Sequence, residues 1–315
     1  MTRSTIGLLT VQRQCHPMQT RSFHSAWIMT EETGGSAGAA SSLFPWWSFS
    51  KTVIAICALR LVEQGQLELD ALRPNRAYTL RQLLQHRAGV PDYGALEAYH
   101  EAVGRNDVPW SRERLLTAVR ADRLDFPPAT GWAYSNVGYL FVRDAIEEAT
   151  GLYLAAALQK LVLAPLQVRS VRLAVTPSDF SKVFWPAVRT YDPGWVYHGC
   201  LIGTPIDAAR LLHGLVHGRI LKSATLRAMM ERHELGGAVA SRPWTVCGYG
   251  LGLMTGRMGK AGTAIGHSGG GPGCVNAIYH YPDLAVPVTV ATFTNGEDEG
   301  AAEVEAMSIA LRRGE

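Results

Sequence analysis

Ser48 and Lys51 stand three residues apart at the head of a long apolar run, within Phe44-Pro-Trp-Trp-Ser-Phe-Ser-Lys-Thr-Val-Ile54. A helix opening near Ser48 puts positions i and i+3 on one face, about one turn apart. A hydroxyl then sits beside an amine at a helix N-terminus. Serine attacks a carbonyl only if something takes its proton. A lysine in a partly dehydrated site, with a lowered pKa, can take it or help a second base to do so. The unpaired N–H groups of the helix end suit an oxyanion. Lys51 is one of only five lysines, and it alone completes a Ser-x-x-Lys spacing. Two fixed residues are a weak signal, and the pair alone also reads as a helix-capping serine followed by an exposed lysine.

Two further groups of residues change that balance. Tyr134-Ser135-Asn136 closes a stretch held by proline and glycine, Phe126-Pro-Pro-Ala-Thr-Gly-Trp-Ala133. A phenol can relay protons where neighbouring cations lower its pKa. An asparagine two residues on can orient a lysine or hold a substrate amide, because it both donates and accepts. Gly266-His267-Ser268-Gly269-Gly270 ends one apolar run and precedes another. Strand-edge N–H groups beside glycines can approach a substrate carbonyl closely and form an oxyanion site.

In this order, Ser48-x-x-Lys51, Tyr134-x-Asn136 and His267-Ser268-Gly269 resemble the three motifs of the serine β-lactamase-like, penicillin-recognising hydrolases. The likeness is to the branch of class C β-lactamases, D-alanyl-D-alanine carboxypeptidases and family VIII esterases. Leu83-Leu-Gln-His-Arg-Ala-Gly-Val-Pro-Asp-Tyr93, Tyr134-Ser-Asn-Val-Gly-Tyr139 and Gly248-Tyr-Gly-Leu-Gly252 are similar to that family as well. The resemblance covers roughly residues 44–296 and is poorer before them. It implies a cofactor-free serine hydrolase acting through an acyl-enzyme on an ester, an amide or D-amino acid peptide, or a β-lactam. It makes Ser48 the nucleophile, Lys51 its activator, and Tyr134 the general base and then the acid for the leaving group. Asn136 would contact the substrate, His267 would stand at the third motif, and the backbone N–H groups of Ser48 and Gly270 would hold the oxyanion. Ser268, Gly269 and Gly270 complete the substrate-binding strand.

Two departures matter. Class C β-lactamases carry lysine where this chain has His267, and an imidazole anchors a substrate carboxylate less firmly than an ammonium. That favours a peptidase, amidase or esterase. The stretch Pro193-Gly-Trp-Val-Tyr-His-Gly199 is aromatic where small residues are usual, so Tyr197 is expected to line the substrate pocket, with Trp195, Trp46 and Trp47 as walls or as ordinary core.

Other readings compete. A penicillin-recognising fold kept as a binding or regulatory module is the main alternative. Gly266-x-Ser268-x-Gly270 also fits the nucleophile elbow of α/β-hydrolases, but Gly-Gly-Pro-Gly follows and starts a helix badly. No acid lies between Ser268 and His280, the only later histidine. His213 and His217 have a zinc-compatible spacing, without the glutamate of a metalloprotease, so no metal is expected. His86 and His198 read as satisfied polar groups.

These residues need elements to position them. Residues 48–64 are apolar nearly all round and read as a buried helix stopped at Gly65. Helices are expected at 80–86, 111–123, 137–149, 153–163, 205–218, 223–233 and 301–312. Strands are expected at 5–12, 18–29, 249–254, 262–267, 274–281 and 286–294, and a loop at 31–42. Strands at both ends and helices between them predict an α+β fold. Its antiparallel sheet is built from the two termini, as in β-lactamases and transpeptidases. The whole of 1–315 is expected to be one domain. An α/β lobe takes about 1–60 and 240–315, and a helical lobe about 61–239.

Composition bounds the rest. A hydrophobic content of 47% with 18% charged residues describes a globular chain, and a net charge of +3 without a basic run argues against nucleic acid. Five widely spaced cysteines suggest free thiols and a reducing compartment. No stretch is long enough to span a membrane, and the apolar patch near the N-terminus is too short for a signal peptide. A cytoplasmic protein acting on a small molecule or short peptide is expected.

Overall fold

The structure is a computed structural model and describes residues 21–315. The chain enters as β1 (Phe23–Ile28), turns into β2 (Gly34–Ala37) and reaches the short β3 (Phe44–Pro45). Helix α1 (Phe49–Glu63) follows at once. Every residue from Phe49 to Leu59 is buried, as an all-round apolar pattern requires. Full burial of Val53, Ile54, Ile56 and Leu59 contributes about 1.5–3 kcal/mol each as an upper estimate. That packing also holds Lys51, which no water reaches.

Helices α2 (Leu80–Leu84), α3 (Glu97–Gly104), α4 (Arg112–Ala118), α5 (Asn136–Thr150) and α6 (Leu154–Leu158) build the inserted helical region. Next come β4 (Arg172–Ala174), α7 (Pro177–Phe180), β5 (Cys200–Gly203), α8 (Pro205–Val216) and α9 (Ser223–Met230). The last third supplies β6 (His233–Gly236), β7 (Trp244–Tyr249), β8 (Met254–Met258), β9 (Thr263–Gly271), β10 (Cys274–Tyr281) and β11 (Val288–Asn295). Helix α10 (Glu299–Gly314) closes the chain.

Eight strands form one sheet in the order β2-β1-β11-β10-β9-β8-β7-β6, and β3-β5-β4 form a second, small one. All the named strand pairs are antiparallel. Beyond the expected central pairs, β1 from the N-terminal side pairs with β11, which gives the α+β architecture the sequence suggested. Alternate residues of each strand serve different layers. Cys274, Ile278, Ala291 and Phe293 join the core around α1, whereas Val275, Ala277, Tyr279, Val288 and Val290 join the core under α10.

Several local expectations need correcting. The strand expected at 5–12 lies outside the described residues. The 31–42 segment contains β2, paired with β1 through the backbone at the sheet edge, where side-chain propensity counts little. The 249–254 segment is mainly the turn between β7 and β8. Leu251 and Leu253 are apolar because the turn tucks into the core. The α3 helix and the small sheet were not foreseen. Helix α3 starts at Leu96, which provides no side-chain cap, and β3, β4 and β5 have two to four residues each.

Candidate active site

Ser48 is the residue that caps α1, and its neighbour fixes its direction. Trp47 adopts φ +42°, a left-handed backbone that costs a bulky residue about 1–3 kcal/mol. Its ring is pinned by an indole N–H donating to Cys274 Sγ at 3.2 Å and by packing on Phe180 and Tyr191. Ser48 therefore leaves the β3–α1 corner in one direction only. Its side chain stays partly accessible while both tryptophans are buried. Trp46 and Trp47 are thus core packing.

One turn on, Lys51 Nζ lies 3.3 Å from Ser48 Oγ, 2.7 Å from Asn136 Oδ1 and 3.1 Å from His198 Nε2. Burial lowers its pKa to about 7, against the attraction of Asp92, Cys200 and Glu299. The amine also rests over the Tyr134 ring, 4.9 Å from its centroid.

Tyr134 and Asn136 arrive together at the start of α5. Ser135 caps the helix, accepting from Gly138 N at 2.8 Å and donating to Pro91 O at 3.1 Å. Its own N–H donates to His86 Nδ1 at 3.1 Å. Asn136 N and Nδ2 donate to the two oxygens of Asp92, at 2.7 and 3.1 Å. That turns Asn136 Oδ1 towards Lys51. The Tyr134 hydroxyl is buried beside the Ser48 side chain and has no further hydrogen-bond partner among the described residues. Burial pushes its pKa well above 10, with the neighbouring Ser48 hydroxyl working the other way. Tyr134 is therefore a neutral phenol.

Strand β9 provides the opposite wall. Its pairing with β8 ends at Gly266, so the edge from His267 to Gly271 has no partner on that side. A Cβ on Gly269 would stand 2.8 Å from Ser48 N and 2.9 Å from Trp46 O, which only glycine avoids. His267 Nδ1 donates to the Ser268 carbonyl, and its Nε2 accepts from the Tyr249 hydroxyl at 2.9 Å. Burial lowers its pKa to about 3. The third motif thus presents a neutral imidazole.

The structure brings Ser48, Lys51, Tyr134, Asn136, His267 and Gly269 together. Ser268 and Gly270 alternate to the other face of β9. The Ser268 hydroxyl accepts from Arg242 at 2.7 Å and donates to Glu299 at 3.0 Å. Ser268 lies inside a strand with no helix after it, so it is no nucleophile elbow. Tyr197 lies in an aromatic cluster with Tyr93 and Trp195, its hydroxyl donating to Trp110 O at 3.0 Å. No described contact ties it to Ser48 or Lys51. His86, Asp92 and His198 stand in the site although sequence reasoning gave them no role there. Asp92 could have been suspected from its turn-rich loop and His198 from its place in the 193–199 stretch expected at the pocket. The expectation that His86 and His198 are satisfied polar groups fails, since one nitrogen of each ring has no partner among the described residues.

A groove of about 920 Å³ lined by Arg76, Arg112, Arg120 and Phe141 contains none of these residues. The His213 and His217 rings lie 4.0 Å apart, tilted by 31°, and among the described residues no group of three or more His, Cys, Asp or Glu could hold a metal ion. The cysteines among the described residues, Cys57, Cys200, Cys247 and Cys274, are free and buried. No helix of the described residues is long and apolar enough to cross a membrane.

The chain is similar to several known proteins. A penicillin-binding protein of Bacillus subtilis (strain 168) is 24% identical over 300 residues, covering 83% of this chain and 63% of the relative. Esterase EstB of Burkholderia gladioli is 30% identical over 162 residues, covering 45% of this chain and 41% of its own length. The chain thus spans less than two thirds of the length of either curated relative. The D-amino acid amidase of Ochrobactrum anthropi SV3 superposes with a TM-score of 0.77 at 20% identity, over 92% of this chain and 94% of the amidase. That likeness shows the shared fold. The family model described as Beta-lactamase matches residues 21–313, nearly all of the described chain, and this protein belongs to the beta-lactamase family.

Proposed function

We propose that the protein is a serine hydrolase that forms an acyl-enzyme on Ser48 and acts on an ester or amide that carries no carboxylate. The supporting observation is Lys51 Nζ, 3.3 Å from Ser48 Oγ, with a pKa brought down to about 7. At neutral pH a large fraction of such an amine is unprotonated and can accept the hydroxyl proton.

The steps balance as follows. The Ser48 proton passes to the Lys51 lone pair as the Oγ–carbon bond forms. The carbonyl π pair moves to oxygen, held by the N–H groups of Ser48 and Gly270. Collapse breaks the bond to the leaving group, which takes the Tyr134 hydroxyl proton, and Lys51 returns one to Tyr134. Water then adds to the acyl carbon and repeats the sequence in reverse, releasing the acid and Ser48. Tyr134, neutral in its buried setting, serves here as proton donor and relay, with Lys51 as the base.

The substrate class follows from charge. His267 is neutral, and Arg242, the nearby cation behind β9, is paired with Glu299 and Glu303. Among the described residues neither His267 nor Arg242 is left to anchor a substrate carboxylate, which favours esters and amides over β-lactams. The names of the relatives, an esterase and a D-amino acid amidase, point the same way.

The test is p-nitrophenyl butyrate, a D-amino acid p-nitroanilide and nitrocefin offered to the native protein and to Ser48→Ala, with intact-mass detection of the acylated serine. Turnover of the first two with transient acylation at Ser48, lost in Ser48→Ala, is expected. Turnover surviving in the folded variant would end the proposal. Stable acylation without turnover would favour a binding module instead.

A further inference from the structure

Three polar groups surround Lys51 Nζ: Asn136 Oδ1 at 2.7 Å, His198 Nε2 at 3.1 Å and Ser48 Oγ at 3.3 Å. A neutral amine has two N–H groups and one lone pair. Asn136 must accept, because its Nδ2 already donates to Asp92. If His198 takes the second N–H, the lone pair can point only at Ser48. We infer that His198 is a positioning residue of the Ser48–Lys51 pair, its Nε2 accepting one N–H of the neutral amine and so directing the lone pair onto the serine hydroxyl. This rests on Ser48 being the nucleophile.

The surroundings of His198 support a role beyond packing. The ring is 2% exposed, and its other nitrogen, Nδ1, is buried with no partner among the described residues. A buried polar atom left unpaired costs about 1–3 kcal/mol, so a site serving stability alone would satisfy it or carry an apolar side chain. The backbone is also specialised. Gly199 takes φ +104°, and its N–H closes a turn onto Val196 O at 2.7 Å, which presents His198 at the foot of β5.

The charges around the pair are compatible with this geometry. Burial, reinforced by Lys51, His86, Arg143 and His267, keeps the His198 imidazole neutral and able to accept. His86 and His267 are likewise neutral through burial, and Tyr134 and Cys200 are uncharged acids. The carboxyl groups acting on Lys51 are Asp92 and Glu299, both favouring its ammonium form.

The test compares His198→Leu, which keeps bulk but no acceptor, with His198→Gln, whose amide oxygen can reach the Nε2 position. For the leucine variant kcat should fall roughly 10- to 100-fold with KM changed by less than about twofold, since a misdirected proton acceptor resembles a small misplacement of reacting groups. The acid limb of its kcat/KM profile should move to lower pH, because the Lys51 ammonium has lost an acceptor. Glutamine should restore most of the lost rate and the native limb. Equal losses in both variants, or a leucine variant with native kcat and limb, would overturn the inference while leaving the hydrolase reading intact. If the leucine variant does not fold, His198→Asn, too short to reach Nζ, replaces it with the same expectations. A native protein in which Ser48 is never acylated would instead remove the hydrolase reading and this inference with it.

Discussion

The two faces of β9 carry two basic groups in opposite conditions, one buried and one half-buried. On one face lies Lys51, with the buried Tyr134 hydroxyl near it and with His198 Nδ1 and His86 Nε2 buried and without a partner among the described residues. On the other lies Arg242, which donates through Nε to Glu303 at 2.7 Å, through a second short contact to the same carboxylate, and to Ser268 at 2.7 Å. Glu303 also accepts from Trp244 at 3.0 Å and Tyr279 at 3.1 Å. The Arg242 pKa is raised because these carboxylates outweigh its burial, whereas that of Lys51 is lowered because nothing outweighs its own. A saturated polar network favours one arrangement and holds its protons. An unsaturated one leaves a base, a phenol and two imidazoles with capacity to exchange them. The difference separates structure from chemistry across the thickness of one strand.

The comparison breaks most sharply at Lys51. Lys51→Met should lower kcat/KM by about 10³- to 10⁴-fold, of the order expected for loss of a proton acceptor, while the thermal midpoint stays level or rises, since an apolar side chain suits that cavity better than a buried amine. A large fall in melting temperature would mean that Lys51 holds the fold as Arg242 does. The reverse experiment is Glu303→Leu, which leaves Arg242 without its main partner. It should destabilise the protein by about 3–5 kcal/mol in urea titration, yet the folded fraction should keep most of its specific activity. Intact stability would show that the far-side network is not structural. The smallest effect concerns pH. With a Lys51 pKa of about 7, kcat/KM should fall as pH drops through 7, reaching roughly a tenth of the plateau one unit lower. Protonation removes the acceptor, so the loss lies on the acid side. His267→Gln should leave that limb in place, because a group titrating near 3 is already neutral throughout. A limb that moves with His267 would assign the titration to the wrong residue.

Local patterns were enough for much of the scaffold. The helix from Phe49 to Glu63 was legible because its apolar residues leave no polar face, and β10 and β11 because their runs are β-branched and aromatic between Gly and Pro turns. The 249–254 stretch misled because a buried turn has the composition of a strand. At the site, residue type and spacing gave Ser48, Lys51, Tyr134 and Asn136 a chemical logic that is weak for each pair alone. It was the resemblance of the three ordered motifs to the penicillin-recognising hydrolases that singled them out together with His267.

What the amino-acid order by itself determined is which groups exist and which near neighbours share a helix face or a turn. Ser48 and Lys51 are the example, joined by one helical turn. The tertiary structure alone decided which groups face the site and which face away. The Ser268 side chain points behind β9 because strand residues alternate, and Tyr197 turns into the aromatic cluster, although both sit in suggestive sequence. His198 enters the site from 147 residues beyond Lys51. Its role, like the lowered pKa of Lys51, depends on desolvation and contacts across the fold, and those quantities come into being only when distant segments pack together.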